Sequence, residues 1–248
     1  MIVFGSDTEV SVANLNSIGP FDAIVDADAG GNSGHIYTTL SAALSAGHRS
    51  IYVKRGVYEE AVTISNDATT IFCEGRMFYS SGMTQGVVMK STVTIAGKGI
   101  TIYNMAVDTA SSGSGFAITG DRITLLNCTA CACEAHGISI TSSALAHIVV
   151  VGGEYNGNAE DGINVTSSSS GGIVCVTAAR VGGNSGDGIG INSSSVTCLI
   201  NNCACHENDG YGINVTAGTG LAVGCYLVGN TTGASVGLHT SSTGNITS

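Results

Sequence analysis

The sequence motif NAEDGINVTSSSS, residues 158–170, is repeated along the chain. Close variants stand at residues 184–195, NSGDGIGINSSS, and at residues 208–220, NDGYGINVTAGTG. In each variant, apolar residues stand one and three positions after a glycine, which is the alternation of a half-buried β-strand. The motif therefore predicts a strand that recurs along the chain.

Aligned on that glycine, the chain repeats with a period of 22 to 26 residues. The glycines are Gly115, Gly137, Gly162, Gly188, Gly212 and Gly237. Each repeat holds three alternating apolar pairs: one just after the glycine, one nine and seven residues before it, and one 14 and 12 residues before it. Three short strands per repeat, stacked in register, predict an all-β fold, a parallel β-helix with coils of about 25 residues.

One segment has helical spacing instead. In HIYTTLSAALSAG, residues 35–47, Ile36, Leu40, Ala43 and Leu44 fall on one helix face, and Gly47 is a suitable stop. Because the end of a β-helix needs cover, we interpret residues 36–46 as an N-terminal capping helix. The predicted organisation is an N-terminal segment at residues 1–20, forming a docking arm, and a single β-helix domain at residues 21–248, with about eight coils from residue 50.

Composition excludes several classes of protein. The 248 residues include 8 Lys plus Arg and 18 Asp plus Glu, for a net charge of −10. Nucleic-acid binding needs clustered cations, which are missing. No apolar run is long enough for a membrane span, and the first residues do not read as a signal peptide. Nine cysteines without an export signal indicate free thiols and assembly in the cytoplasm.

Two Cys/His clusters raise the question of a metal. They comprise Cys128, Cys131, Cys133 and His136, and then Cys203, Cys205 and His206. The clusters are three coils apart, about 14 Å at the strand spacing, so they cannot share one zinc ion. Several of these positions also hold Gly, Ala, Val or Tyr in other repeats, which favours packing. We predict no metal and no cofactor.

Two further columns are predicted to be structural. Asn158, Asn184 and Asn208 stand four residues before the glycine, where stacked amides can bond from coil to coil. Glu154 and Arg180 occupy the same outward position in adjacent coils, which predicts a surface ion pair.

The residue directly before the glycine is the candidate site. It is His136, Asp161, Asp187 and Tyr211 in four successive repeats. The two carboxylates should lie about 5 Å apart, as in retaining glycosidases, with His136 as a proton donor and Tyr211 as a stacking surface for sugar. Alternatively, the carboxylates bind a cation, or they bond local backbone N–H groups in tight turns. We favour the turn interpretation, and keep catalysis by Asp161, Asp187 and His136, and binding by Tyr211, Asp161 and Asp187, as hypotheses.

Two segments resemble a known superfamily. VDADAGGNSGHIYTTLSAALSAG followed by SIYVKRGVYEEAVTI resembles the opening of pectinesterases and of bacteriophage tailspike and virion proteins, and the GISI and GINV coils resemble the repeat of the pectin lyase-like superfamily. The resemblance implies a right-handed parallel β-helix over residues 20–245. The Asp and Arg sets that the superfamily's enzymes carry are not found in this sequence.

The function that we expect is a structural or receptor-binding part of a virus particle: a spike, fibre or decoration protein of a bacteriophage, without catalytic activity. Its partners would be copies of itself, in a trimer for example, other virion proteins and a cell-surface glycan, and it would lie in the virion. The alternative is a carbohydrate-active enzyme, a polysaccharide hydrolase or lyase, in the medium or at a cell surface.

Overall fold

A computed structural model describes residues 20–75, 86–108 and 113–247. In these ranges the chain forms one helix, α1 (Leu40–Ser45), and short strands. The strands are, in chain order, β1 (Ala23–Val25), β2 (Ile36–Tyr37), β3 (Ser50–Val53), β4 (Gly56–Tyr58), β5 (Val62–Ile64), β6 (Thr70–Cys73), β7 (Val87–Met89), β8 (Val93–Ile95), β9 (Thr101–Tyr103), β10 (Met105–Asp108), β11 (Phe116–Ile118), β12 (Ile123–Leu126), β13 (Thr129–Cys131), β14 (Ile138–Ile140), β15 (His147–Val151), β16 (Glu154–Asn156), β17 (Ile163–Val165), β18 (Ile173–Thr177), β19 (Arg180–Gly182), β20 (Ile189–Asn201), β21 (Ala204–His206), β22 (Tyr211–Val223), β23 (Tyr226–Val228), β24 (Gly233–Val236) and β25 (Ile246–Thr247).

These strands pair in parallel and build a solenoid of about nine turns with three faces. Face A holds β1, β3, β6, β9, β12, β15, β18 and the C-terminal halves of β20 and β22. Face B holds β4, β7, β10, β13, β16, β19, β21, β23 and β25. Face C holds β5, β8, β11, β14, β17, the N-terminal halves of β20 and β22, and β24. The predicted all-β parallel coil is confirmed.

The predicted columns match the register of the central coils. On face C, Ile138, Ile163, Ile189 and Ile213 are successive partners and are all buried. Residues in such a column fill a narrow interior in which each apolar side chain packs on its equivalents in the coils on either side. Tyr155 is the largest of the fully buried side chains, and its hydroxyl has no hydrogen-bond partner.

The last coil departs from the predicted register. Ile213 pairs with Ser235, so Ala234 rather than Gly237 takes the place of the recurring glycine. The reason lies in the next coil. A Cβ at Gly188 would lie 2.5 Å from the Gly212 oxygen, and one at Gly212 would lie 2.6 Å from the Ala234 oxygen. Within the described residues no strand pairs with the far side of β24, so a side chain is tolerated there.

The asparagine column is confirmed and is one member longer than predicted. The Nδ2 of Asn158 donates to the Oδ1 of Asn184 at 2.8 Å, and the same bond recurs from Asn184 to Asn208 and from Asn208 to Asn230. Each Oδ1 also accepts a backbone N–H from the preceding coil, for example from Asn158 at 3.0 Å. All four side chains thus satisfy buried polar groups at the corner between faces B and C.

Single left-handed residues turn the corners. Between faces A and B the φ angle is positive at Asn104, Asn127, Gly152, Ala178, Asn202 and Gly224, and in the coil of Gly152 also at Gly153. Asn and Gly adopt this conformation at little cost. A corner of this kind redirects the chain within about two residues, so the coils stay compact.

The helix is shorter than predicted. Residues 36–46 were expected to be helical, but Ile36 and Tyr37 form strand β2, which pairs with β1. The Thr39 hydroxyl accepts the Ala42 N–H and so begins the helix at Leu40. Pairing with β1 therefore overrides the helical spacing at Ile36 and Tyr37.

The Glu154–Arg180 prediction is half confirmed. The two residues are partners on face B, so the register is correct. The Glu154 carboxylate instead accepts a bond from Asn156 at 3.5 Å, and the ion pairs of the described chain do not include this pair. An exposed pair gains little from one fixed geometry.

The predicted docking arm, residues 1–20, lies outside the described residues except for Pro20. No helix in the described ranges has both the length and the apolar character needed to cross a membrane.

Candidate functional site

The four candidate residues form one column at the corner between faces B and C. The Asp161 N–H donates to Nδ1 of His136 at 3.1 Å. The Asp187 N–H donates to Oδ1 of Asp161, and the Tyr211 N–H donates to Oδ1 of Asp187, both at 2.7 Å. Each side chain therefore accepts the backbone N–H of the next member, and the column links four coils.

The second oxygen of each carboxylate meets an asparagine amide. Asn164 donates to Oδ2 of Asp161, and Asn214 donates to Oδ2 of Asp187, both at 2.7 Å. Asn164 belongs to the same coil as Asp161, whereas Asn214 comes from the coil after Asp187. The reason is Gly190, which takes the asparagine's position in the coil of Asp187.

Glycines leave room for these carboxylates. A Cβ at Gly190 would lie 2.8 Å from Oδ2 of Asp161, and one at Gly186 would contact Oδ1 of the same residue. A Cβ at Gly210 would contact Oδ1 of Asp187. Glycine is thus required at these three positions because the carboxylate of the preceding coil approaches the backbone closely.

The histidine has a defined tautomer. Because Nδ1 of His136 accepts the Asp161 N–H, the proton of the neutral ring is on Nε2. Nε2 lies 3.0 Å from Oε2 of Glu160, which is more than half exposed. His136 therefore donates to a solvated carboxylate and is only 20% exposed itself.

Tyr211 ends the column. Its ring carbons lie 3.2 and 3.3 Å from the place that a Cβ on Gly233 would occupy. One side of the ring therefore rests against the backbone of the following coil. That contact limits the ring's use as a stacking surface for a sugar.

The structure brings together everything that the sequence placed in the column, and adds Asn164, Asn214 and Glu160. Sequence analysis considered the column alone and did not connect it to these neighbours. The signal available was a recurring asparagine two residues after the glycine, at Asn164 and Asn214.

The arrangement can accept further hydrogen bonds. A carboxylate has about four lone-pair sites, and each of Asp161 and Asp187 uses two of them on protein donors. The free sites and the remaining amide groups of Asn164 and Asn214 form a half-buried strip of acceptors and donors. A surface cavity of about 450 Å³, at residues 26–36, is lined by none of these residues.

The cysteine clusters pack into the fold. None of the nine cysteines, all within the described residues, forms a disulfide, and all but Cys175 are buried. Burial raises the pKa of the Cys128 and Cys131 thiols to about 12, so both are protonated near neutral pH. No three metal-ligating side chains converge among the described residues.

The sequence of residues 85–248 matches the family described as a right-handed β-helix region. This match covers more than half of the chain. The chain belongs to the right-handed β-helix family.

Solved structures align with this β-helix over most of its length. A pectin methylesterase from Aspergillus niger aligns over 92% of the chain and 90% of its own length, with 16% sequence identity and a TM-score of 0.59. The A-modules of two mannuronan C-5 epimerases from Azotobacter vinelandii align over 93% and 83% of the chain and 90% and 92% of their own lengths, each with 15% identity and with TM-scores of 0.37 and 0.32. No curated protein sequence matches the chain. At 16% identity the likeness to the pectin methylesterase is one of fold.

Proposed function

We propose that this β-helix binds a polysaccharide along the corner between faces B and C, without cleaving it. The contact surface is the strip formed by His136, Asp161, Asp187, Asn164 and Asn214. The observation that carries the proposal is the fixed alternation of carboxylate and amide groups, each held at 2.7 Å by its neighbour.

Sugar hydroxyls both donate and accept hydrogen bonds, so they match a surface that offers both. The strip is pre-organised, since its side chains are already fixed by the backbone of adjacent coils. A rigid site loses less conformational entropy on binding. A long glycan running along the solenoid would meet polar groups from successive coils, about every 4.8 Å.

The comparisons favour a carbohydrate partner over the virion component that we expected from the sequence. Of the three reported structures, the one with a TM-score above 0.5 is a pectin methylesterase, which shares the fold at 16% identity. The virion location, the spike or fibre role and other virion partners remain proposals, and detection of the chain in purified particles would test them.

A second candidate function is cleavage of the polysaccharide by Asp161 and Asp187. The stacking of the two residues in adjacent coils favours it, because retaining glycosidases use two nearby carboxyls. Against it stands the use of both oxygens of each carboxylate as acceptors for protein N–H groups. A general acid also has to present a proton to the leaving group.

The test measures binding and cleavage together. Mobility in native gels containing xyloglucan, dextran, pectin or alginate reports binding, and release of reducing ends or unsaturated products reports cleavage. We expect retardation in at least one gel without product. The double variant Asn164→Ala/Asn214→Ala should weaken retardation about tenfold, as expected from losing about 1.4 kcal/mol of binding energy. The control Asn201→Ala removes the same side chain from face A and should not weaken it.

Two results would contradict the proposal of binding without cleavage. If no polysaccharide retards the folded protein, the binding proposal fails. If the wild type releases product and Asp161→Asn/Asp187→Asn abolishes that release while thermal melting still shows a folded chain, the enzyme candidate replaces it.

We also propose that α1 caps the N-terminal end of the solenoid. Leu40, Ala43 and Leu44 are buried in the same core as the coils. Glu60 accepts the N–H groups of Leu40 and Ser41 at 2.7 and 3.1 Å, so the first coil holds the helix in place.

A further inference from the structure

Within its strands, the outer surface of face A carries no Asp, Glu, Lys or Arg side chain and one histidine, His147, at the exposed start of β15. Its outward residues follow two main columns through the ladder of β1, β3, β6, β9, β12, β15, β18, β20 and β22. The first column is Ile24, Tyr52, Phe72, Tyr103, Leu126, Val151, Thr177, Asn201 and Val223. The second is Ser50, Thr70, Thr101, Thr124, Val149, Cys175, Leu199 and Leu221.

This surface is unusual for a chain with a net charge of −10. Most of its larger side chains are apolar, and Val223 and the neighbouring Ile173 are 37% and 42% exposed. Face B, by contrast, presents Glu154, Arg180 and Asp108 at its surface. An apolar, uncharged strip of this length marks an interaction surface.

The aromatic part of the strip is unsuited to sugar stacking. The rings of Phe72 and Tyr103 are parallel, 5° apart with centroids at 4.5 Å, and so cover one another's faces. Phe21 packs against Tyr52 and Phe72 with centroids at 5.2 Å. The rings present edges rather than open faces to the outside, which favours a flat apolar partner over a glycan.

The strip is large enough to form the interface of a dimer. Nine strands span about 38 Å and four residues of each strand about 13 Å, so the strip covers about 500 Å² per chain. Two such strips in contact would bury about 1,000 Å², the lower limit for a specific protein interface. The same strip on a second copy matches it in shape, length and lack of charge.

We infer that face A is the contact between two copies of this chain, packed face to face about a twofold axis. The net negative charge of the chain favours face A as the contact, because contacts through the acidic corners of two copies would bring like charges together. A twofold contact uses the same surface on both copies, so one patch is sufficient. Side chains of the two sheets would interdigitate as in a β-sandwich.

The test compares charge insertion on three faces. Leu126→Glu/Leu221→Glu places glutamates on face A. Val57→Glu/Val236→Glu makes the same kind of change at positions 46% and 41% exposed on faces B and C. Light scattering coupled to size exclusion, from low to high micromolar chain, should give twice the 24.8 kDa chain mass for the wild type and the control, and the single mass for the face A variant.

A native thiol gives a second readout. Cys175 lies on face A and is the one cysteine of the nine that is not buried. Its reaction with a maleimide should be about tenfold slower in the wild type than in the face A variant at concentrations well above the dissociation constant. Neither glutamate is on a strand that pairs with β18, so the variant does not alter the thiol's immediate neighbours.

Three results would overturn the inference. They are a wild type that stays monomeric throughout the range, an oligomer that survives the face A change, and equal thiol reactivity in both proteins. Circular dichroism of each variant checks that it keeps its β-structure. A monomeric mass then reports loss of the dimer contact and not unfolding.

Discussion

At the scale of the residue, the recurring glycine decides whether one coil fits on the next. Gly162 has an ordinary backbone conformation, so conformational freedom is not its role. A Cβ there would contact Val181 and would lie 2.8 Å from the Gly188 oxygen and 2.9 Å from Nδ2 of Asn184. Gly162 keeps the space that the asparagine column and the next coil's carbonyl need.

Replacement of Gly162 by alanine should therefore destabilise the fold by about 1–3 kcal/mol, because the added methyl group overpacks the interior. Chemical denaturation of both proteins measures the difference. The control is Gly171→Ala, where nothing lies within 4 Å of the added Cβ. Equal changes in stability in the two variants would contradict a steric role for Gly162, because the entropic effect of replacing a glycine is by itself stabilising.

This scale also shows where sequence analysis was sufficient. The positions of Ile163 and Asn184 were predicted correctly, because a strict repeat determines whether each side chain points inward or outward and which residue lies beside it in the next coil. The partners of Asp187 were not predictable in the same way. They depend on Gly190, a single departure from the repeat that lets Asn214 reach across from the following coil.

At the scale of the element, helix α1 is the one non-repeating part of the described fold. Its end groups are partnered by the first coil, since Glu60 accepts from the first turn and Asn66 donates to the Leu44 carbonyl at 2.8 Å. The sequence predicted the helix from spacing but not its start, because Ile36 and Tyr37 also suit a strand and found a partner in β1.

If α1 is a cap, Leu40→Ala should loosen the N-terminal coils before the rest. We expect a loss of about 2–5 kcal/mol, as for other buried leucines, with faster amide exchange confined to β1, β2 and β5, the strands that α1 contacts. Leu125→Ala removes an equally buried leucine from an inner coil and serves as the control. Uniform exchange in both variants would contradict the capping role.

At the scale of the whole molecule, carboxylates tie separate coils together and make the fold sensitive to acid. A bond from Lys54 lowers the pKa of Asp26, and a backbone bond from Arg55 lowers the pKa of Glu74. Burial alone would raise the pKa of Asp121, but bonds from the N–H groups of Ala146 and His147, and from Arg122, outweigh it and lower it. All three carboxylates have lower pKa values in the folded state.

A lowered folded pKa means that the stabilisation is present above the unfolded value, near pH 4, and is lost as the pH falls through the folded value. The free energy of unfolding should therefore decline between about pH 4 and pH 2. Asp121→Asn should flatten that decline, whereas Asp209→Asn, at an exposed corner, should not. A wild-type stability that does not change over this range would contradict the assignment.

The asparagine column also has a consequence for how long such a molecule can be. Every Asn–Asn bond has the same geometry as the one before it, so the column can continue through any number of coils. Length is therefore quantised. It can grow or shrink by whole coils, about 4.8 Å each, while smaller changes in length are absorbed within a coil, as between Ile191 and Thr197, after which the strands return to register.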